Sequence, residues 1–179
     1  MGLDSFSIES TLIPECFLVR FPTNVDDRGS FFRKYSCREF AQAGLNTEWV
    51  QTNVSSNTNA GTLRGFHFQR PPHSEIKLVT CVSGSVYDVA LDVRPESPTY
   101  LRSFAVRLTG NINTSLYIPE GVAHAYLTLE DHSTVAYQVS SEYAPEYAAG
   151  VNYLDPKVKV AWPITPRIVS SADRLWPAL

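Results

Sequence analysis

Residues 77–93, KLVTCVSGSVYDVALDV, carry the pattern that decides the fold. Two stretches rich in β-branched and aromatic residues flank a Ser-Gly-Ser turn signal, so the pattern predicts two consecutive strands. Alternate residues of a strand lie on the same face of its sheet. The residues predicted to share a face are Lys77, Val79 and Cys81 on the first strand and Asp88, Ala90 and Asp92 on the second.

The same pattern recurs through the middle of the chain at intervals of roughly ten residues. The further predicted strands are WVQTNVS, TLRGFHF, RSFAVRLT, SLYIPEG, HAYLTLE and STVAYQVS. One short helix is predicted at SCREFAQAGL (36–45), with Ser36 as its cap. Many short strands with few short helices are typical of an all-β protein. We therefore expect a jelly-roll, cupin-like β-barrel or sandwich.

The chain is expected to form a single domain in three parts, because 179 residues suffice for one hydrophobic core. These parts are an N-terminal arm at about 1–46, a jelly-roll core at about 47–143 and a C-terminal tail at about 144–179. The tail is rich in proline and loops. Trp49, Trp162 and Trp176 are expected to be packing anchors.

Composition and charge argue against several functions. A net charge of -3 provides no general basic face for nucleic acids. No apolar run approaches the ~18 residues of a membrane span. The acidic Asp4 and Glu9 lie where a signal peptide would be basic, so none is expected. Cys16, Cys37 and Cys81 show no paired spacing, which is typical of free thiols in the cytoplasm.

Residues 61–69, GTLRGFHFQ, place polar side chains in an otherwise apolar strand. Alternation directs His67 and Gln69 to one face and Phe66 and Phe68 to the other. The phenylalanines can pack against apolar neighbours, while the polar pair is expected to face a cavity.

Three neighbouring strands each carry a titratable group in an apolar setting: His67, Lys77 and Asp88. Burial of such groups is costly unless they are paired or used. Clustered titratable groups in a cavity are typical of active sites. A satisfied polar cluster or a solvated cavity mouth is the structural alternative.

The sequence PEGVAH (119–124) has the spacing Pro-x-Gly-x-x-His, which resembles the second half of the cupin signature. In metal-binding cupins this histidine often ligates the metal. His67, Glu75 and His124 form the candidate ligand set, at a spacing poorly suited to a tight site. We therefore expect no metal, and His124 is read as a second cavity histidine.

Taken together, these stretches resemble the dTDP-4-dehydrorhamnose 3,5-epimerases and their relatives in deoxysugar pathways. The matching motifs follow the family's order along nearly the whole chain. They are DDRGSFF (26–32), QTN (51–53), GTLRGFHFQ (61–69), KLVTCVSGSVYDVALDVR (77–94), SPTY (97–100), IPEGVAHAYL (118–127), STVAYQVSSEYAPE (133–146) and SSAD (170–173). The resemblance implies a jelly-roll homodimer that acts on a dTDP-linked 4-keto-6-deoxy sugar with no metal or organic cofactor.

The resemblance also implies roles for individual residues. His67 matches the catalytic base, and Asp173 matches the carboxylate that pairs with it. Lys77 matches the lysine near the keto oxygen, and Tyr137 matches the proposed general acid. Arg64 matches a pyrophosphate-binding arginine. The residues that match positions lining the nucleotide site or the cavity are Arg28, Phe31, Gln51, Asn53, His124 and Tyr143.

Simple alternation directs Arg64 away from His67, although the resemblance has both contacting substrate. A bulge at Gly65 would reconcile the two, as would a phosphate reaching Arg64 from the strand's end or from a neighbouring subunit. Four residues depart from the family pattern and leave open a relative that epimerises one carbon or takes a modified sugar. They are Arg33, Glu75, Gln138 and Ala172, in place of a glutamate, a glutamine, a lysine and a basic residue respectively.

Three other functions are weighed beside the epimerase. The first is a cupin isomerase that moves the keto group between C3 and C4, and the second is a metal-dependent cupin. The third is a module that binds a nucleotide sugar without catalysis.

Overall fold

The strands assemble into two facing β-sheets in the computed structural model, which describes residues 5–179. The strands are β1 (Ser7–Ser10), β2 (Phe17–Arg20), β3 (Asn24–Asp26), β4 (Gly29–Phe31), β5 (Gln51–Asn57), β6 (Thr62–Gln69), β7 (Lys77–Ser83), β8 (Ser85–Asp92), β9 (Ser103–Thr109), β10 (Thr114–Ile118), β11 (Val122–Thr128), β12 (Ser133–Val139), β13 (Ala148–Gly150) and β14 (Ile168–Val169). The helices are α1 (Cys37–Gln42), α2 (Ser171–Arg174) and a 3-10 turn at Pro145–Tyr147. Residues 1–4 of the arm, including Asp4, lie outside the described residues.

Sheet 1 has the strand order β1-β2-β10-β7-β12-β5, and sheet 2 has the order β13-β6-β11-β8-β9. Neighbours in both orders are antiparallel, while β14 runs parallel to β6. β3 and β4 form a separate hairpin. The all-β jelly-roll prediction is confirmed as a sandwich, because the described strands form two separate sheets rather than one closed sheet.

Alternation along the strands produces three apolar layers. Between the sheets lies a cluster that includes Val79 and Leu116. The outer face of sheet 2 carries Leu63 and Phe66, which the chain from Val151 to Val169 covers. The outer face of sheet 1 packs against α1 through Phe40, which is fully buried. Each sheet therefore has an interior face, and an outer face that is partly covered by either the arm or the tail.

Helix α1 begins where the sequence predicts it, with the Ser36 hydroxyl accepting from the Glu39 N–H. It has six residues and α2 has four. In the described chain, neither is long and apolar enough to span a membrane.

The SPTY motif fixes a corner after β8. Asp92, which is fully buried, accepts hydrogen bonds from the Ser97 hydroxyl at 2.6 Å and the Thr99 hydroxyl at 2.7 Å, and pairs with Arg94 at 2.8 Å. Burial raises the pKa of Asp92, but the hydrogen bonds from Arg94, Ser97 and Thr99 outweigh it and bring the pKa to about 2. These contacts hold the turn that follows β8 in place.

Candidate active site

A bulge in β6 brings Arg64 and His67 to the same face. On β11, His124 pairs with His67 and Tyr126 pairs with Arg64, so three steps along β6 match two along β11. Gly65 supplies the backbone for this bulge, with φ +113°, and a Cβ there would lie 2.4 Å from the His124 carbonyl oxygen. Simple alternation would place Arg64 and His67 on opposite faces of the sheet. The bulge instead places both side chains on the interior face.

Alternation holds on the rest of β6, with one difference. Phe66 and Phe68 pack under the tail, as predicted. Gln69 does not face an open cavity: it is buried, and its side-chain amide bonds the backbone of His73, Glu142 and Ala144. Gln69 therefore holds two loops in place.

His67 is paired with Asp173. Its Nε2 lies 2.5 Å from Asp173 Oδ1, and the Asp173 carboxylate also accepts from the Gly65 N–H at 3.4 Å and the Trp176 indole N–H at 3.3 Å. Burial raises the pKa of Asp173, but the hydrogen bond and charge of His67 outweigh it and set the pKa below its usual value. Nδ1 is the His67 nitrogen left to face a substrate.

Short elements of the tail bring Asp173 to β6. Ser170 caps α2, because its hydroxyl accepts from the Asp173 N–H at 3.0 Å. Just before this cap, Val169 of β14 pairs with Leu63 of β6. Trp176, predicted to be a packing anchor, also donates a hydrogen bond to Asp173. An indole N–H is invisible to periodicity, so no signal in the sequence marked it.

Lys77 reaches from sheet 1 to sheet 2. Its ammonium nitrogen lies 3.3 Å from the His67 carbonyl oxygen and 2.9 Å from a Glu75 carboxylate oxygen. Both side chains are largely buried, with 8% of Lys77 and 13% of Glu75 exposed. The Lys77 ammonium therefore contacts β6, the strand that carries His67.

Tyr137 faces the interior from the opposite sheet to His67. It pairs with Val79 and Asn53 across neighbouring strands, which orients the three side chains alike. Burial raises the pKa of Tyr137, the charges of Tyr126 and Glu75 raise it further, and Arg64 opposes them. The phenol therefore stays protonated beyond its usual range.

Strand β5 lines the same interior with hydrogen-bonding side chains. Gln51 and Asn53 alternate with exposed residues and share a face with Asn57. Asn57 accepts from Arg64 Nε at 3.0 Å, and the Tyr126 hydroxyl donates to Ser55 at 2.8 Å. Ser55, Asn57 and Tyr126 were missed from sequence, although alternation from Asn53 along β5 was a usable signal for the first two.

His124 belongs to a second histidine–carboxylate pair. Its Nε2 lies 3.0 and 3.1 Å from the two oxygens of Asp88, which is fully buried. Each candidate metal ligand is thus committed elsewhere: His124 to Asp88, His67 to Asp173 and Glu75 to Lys77. The three do not converge on one point among the described residues.

We call His67, Asp173, Lys77 and Tyr137 the reactive cluster. Three residues assigned to the nucleotide site by resemblance are not bonded to it within residues 5–179. Arg28 and Phe31 are exposed on the β3–β4 hairpin, where Arg28 pairs with Asp26 at 2.5 Å. Tyr143 is 66% exposed in the loop after β12. Within residues 5–179 no hydrogen bond, ion pair or aromatic contact joins these three side chains to the paired His67.

Comparison with known proteins matches the chain, over residues 10–179, to the family model described as dTDP-4-dehydrorhamnose 3,5-epimerase. The chain belongs to this family. A relative of that name from Mycobacterium tuberculosis is 41% identical over 155 residues, covering 85% of this chain and 75% of the relative. The resemblance seen in the sequence motifs is therefore confirmed.

Solved structures of epimerases share the fold. The Bacillus anthracis dTDP-4-dehydrorhamnose 3,5-epimerase, with TDP and PPi bound, is 34% identical and superposes with a TM-score of 0.95, covering 98% of this chain and 100% of that one. ChmJ, a 3'-monoepimerase from Streptomyces bikiniensis in complex with dTDP-quinovose, is 34% identical with a TM-score of 0.89, covering 94% and 85%. Both double and single epimerases thus lie among the structural neighbours of this chain.

The four departures from the family pattern occupy different places. Arg33 lies on the arm, 3.9 Å from Glu39. Gln138 pairs with Leu78, whose side chain packs on the outer face of sheet 1, so Gln138 points away from the interior. Ala172 precedes Asp173 in α2 without disturbing the His67 contact. Among these four departures, Glu75 contacts a residue of the reactive cluster.

Proposed function

We propose that this member of the family epimerises a dTDP-linked 4-keto-6-deoxyhexose at a carbon next to the ketone, as an isomerase of deoxysugar biosynthesis. The observation that carries the proposal is the 2.5 Å pair of His67 and Asp173, beside the Lys77 ammonium in an interior that also holds Tyr137. These groups are a base, a cation and an acid. An inversion through an enolate needs all three.

The two facing sheets can present a base and an acid to opposite faces of the reacting carbon, which an inversion requires. His67 Nδ1 takes the α-proton from the sugar, and the Asp173 carboxylate stabilises the resulting imidazolium. The electrons of the broken C–H bond move to the keto oxygen, which the Lys77 ammonium stabilises as an enolate. Tyr137, on the opposite sheet, then donates its phenolic proton to the other face of the same carbon. The inverted ketone forms, and the two proton carriers exchange with water.

Arg64 is the proposed phosphate ligand. The bulge directs it to the His67 face, and its hydrogen bond to Asn57 uses one of the five donors of the guanidinium. That leaves a fork for the pyrophosphate of the substrate. Gln51 and Asn53 lie on the neighbouring interior face and can bond the sugar nucleotide.

We propose a homodimer in which the β3–β4 hairpin of one copy reaches the site of the other. Arg28 and Phe31 match nucleotide-site positions, yet both side chains are exposed and apart from the reactive cluster in their own chain. β5 is the outermost strand of sheet 1, and Val54 on it is 66% exposed. An exposed edge strand is a ready partner for another strand. We further propose a cytoplasmic location, which the free thiols of Cys16, Cys37 and Cys81 support.

The deciding experiment is incubation with dTDP-4-keto-6-deoxyglucose in heavy water, followed by NMR at C3 and C5. Deuterium at both carbons identifies a 3,5-epimerase, and deuterium at one carbon identifies a mono-epimerase. We expect His67→Ala to retain the fold by circular dichroism and to lose exchange. Wild-type protein that exchanges neither carbon, or a His67→Ala variant that exchanges at the wild-type rate, would refute the proposal.

A further inference from the structure

Glu75 lies beside the reactive cluster and has no role in the steps above. Its carboxylate oxygen is 2.9 Å from the Lys77 ammonium, with 13% of its side chain exposed. A buried carboxylate is costly unless it is paired, so this contact is a built feature of the cleft rather than a surface ion pair.

The ammonium of Lys77 is held at two points. One is the Glu75 carboxylate, two residues earlier in the chain, and the other is the His67 carbonyl oxygen at 3.3 Å on the opposite sheet. An ammonium has three N–H donors, so these contacts leave at least one for a substrate oxygen. A free lysine side chain samples many rotamers, and two anchors remove most of that freedom.

We propose that Glu75 is a positioning residue of the epimerase site. Its carboxylate fixes the Lys77 ammonium between the two sheets, beside His67 and in the interior that also holds Tyr137. This inference rests on the proposed function, because the fixed ammonium serves the enolate. Glu75 acts through Lys77 and through its charge, without contact to the reacting carbon.

The charge of Glu75 also reaches the proposed acid. Burial is the main cause of the raised pKa of Tyr137, and the carboxylate of Glu75 adds to it. The charges that act on Tyr137 are those of Tyr126 and Glu75, which raise its pKa, and that of Arg64, which lowers it. The neighbouring strand β7 carries Lys77, and the facing sheet carries His67, Asp88 and His124. Removing the Glu75 carboxylate would therefore take away one of the charges that raise the pKa of Tyr137.

Two substitutions separate these effects. Glu75→Gln keeps the shape and removes the charge, while Glu75→Asp keeps the charge and shortens the reach. Glu130→Gln is the matched control, since it removes one carboxylate from an ion pair with Arg107 that is largely exposed. Tyrosines labelled with carbon-13 report each phenol's titration by NMR, and Tyr137→Phe identifies the signal of Tyr137.

In Glu75→Gln we expect the Tyr137 midpoint to fall, because one of the charges that raise its pKa is gone. We expect kcat to fall about tenfold with KM within about twofold. In Glu75→Asp the midpoint stays near that of wild type while kcat falls, because the shorter side chain no longer reaches Lys77. Glu130→Gln changes neither.

The proposal is overturned if Glu75→Gln leaves the Tyr137 midpoint unmoved, whatever happens to kcat, since a merely structural role would lower activity without moving that titration. A wild-type protein without deuterium exchange would refute the proposed function separately. In that case the NMR titration, which needs no substrate, still decides whether the charge of Glu75 acts on Tyr137.

Discussion

Replacing Asp173 with Asn tests the pair at the centre of the site, because the amide has the same shape and no charge. The carboxylate accepts from three donors: His67, Trp176 and the Gly65 N–H. An amide offers one oxygen and one NH2 group, so in either orientation its NH2 faces a donor. If it faces His67, it forces the proton of the imidazole onto Nδ1, the nitrogen proposed to act as base.

The size of the effect follows from the burial of the pair. Asp173 is 5% exposed, so its hydrogen bond to His67 should contribute the stabilisation typical of hydrogen bonds to charged groups, about 1.5–3 kcal/mol. That corresponds to a rate loss of about 10- to 150-fold. His67 is 46% exposed, and solvent screens the lost charge, which favours the lower half of that range. The wrong tautomer adds to the loss, so we expect kcat to fall about 10²- to 10³-fold.

The assay is deuterium exchange into the keto sugar, followed by NMR under saturating substrate. Circular dichroism verifies that the variant is folded. Asp131→Asn serves as the control, because Asp131 is an exposed carboxylate that accepts from the Ala60 N–H outside the reactive cluster. If folded Asp173→Asn exchanges within about threefold of wild type, the carboxylate does not assist His67 and the reasoning fails.

Three further predictions concern the acid, the bulge and the buried corner. In Tyr137→Phe we expect His67 to exchange the α-proton while product inversion is lost, and NMR of the product stereochemistry would show an unchanged inversion rate if the phenol were not the acid. Gly65→Ala should cost about 2 kcal/mol or more of unfolding free energy and abolish exchange, because its Cβ meets the His124 carbonyl; Gly29→Ala, with φ +121° and no atom within 4 Å, is the control for backbone conformation alone. The folded pKa of Asp92 is depressed from 3.8 to about 2, so its stabilisation is present above pH 4 and lost as pH falls through 2. Urea unfolding should show that loss as about 2.5 kcal/mol, and Asp92→Asn should lack it.

The strands of the core were predictable because their signal is local. Strand β5 alternates exposed and less exposed side chains, whereas β10 and β11 are buried on both faces, and both patterns are visible in the residues themselves. The β6 bulge was not predictable from the period, since one extra residue reverses the face of everything before it. Only Gly65 hinted at it, and a glycine in a strand is compatible with several backbone shapes.

The site was less visible than the fold, because its parts are far apart in sequence. His67 and Asp173 are 106 residues apart and meet through a tail that has almost no periodic pattern. Family resemblance, rather than pattern, pointed to Asp173. Arg28 and Phe31 show the opposite case: resemblance assigned them to the site, while their own chain leaves them exposed on a hairpin. In the proposed homodimer they would reach the site of the other copy, and such contacts leave no mark on the periodicity of one chain.

The position of Asp173 on the tail gives the proposed catalytic pair one member on a central strand and one on a short peripheral element. His67 lies on an eight-residue strand within a sheet, whereas Asp173 lies on a four-residue helix next to a two-residue strand. Short peripheral elements open with less free energy than central strands. Heating should therefore detach the carboxylate from the histidine while both sheets are still intact. Activity should disappear several degrees before the circular dichroism signal of the sheets, and return on cooling.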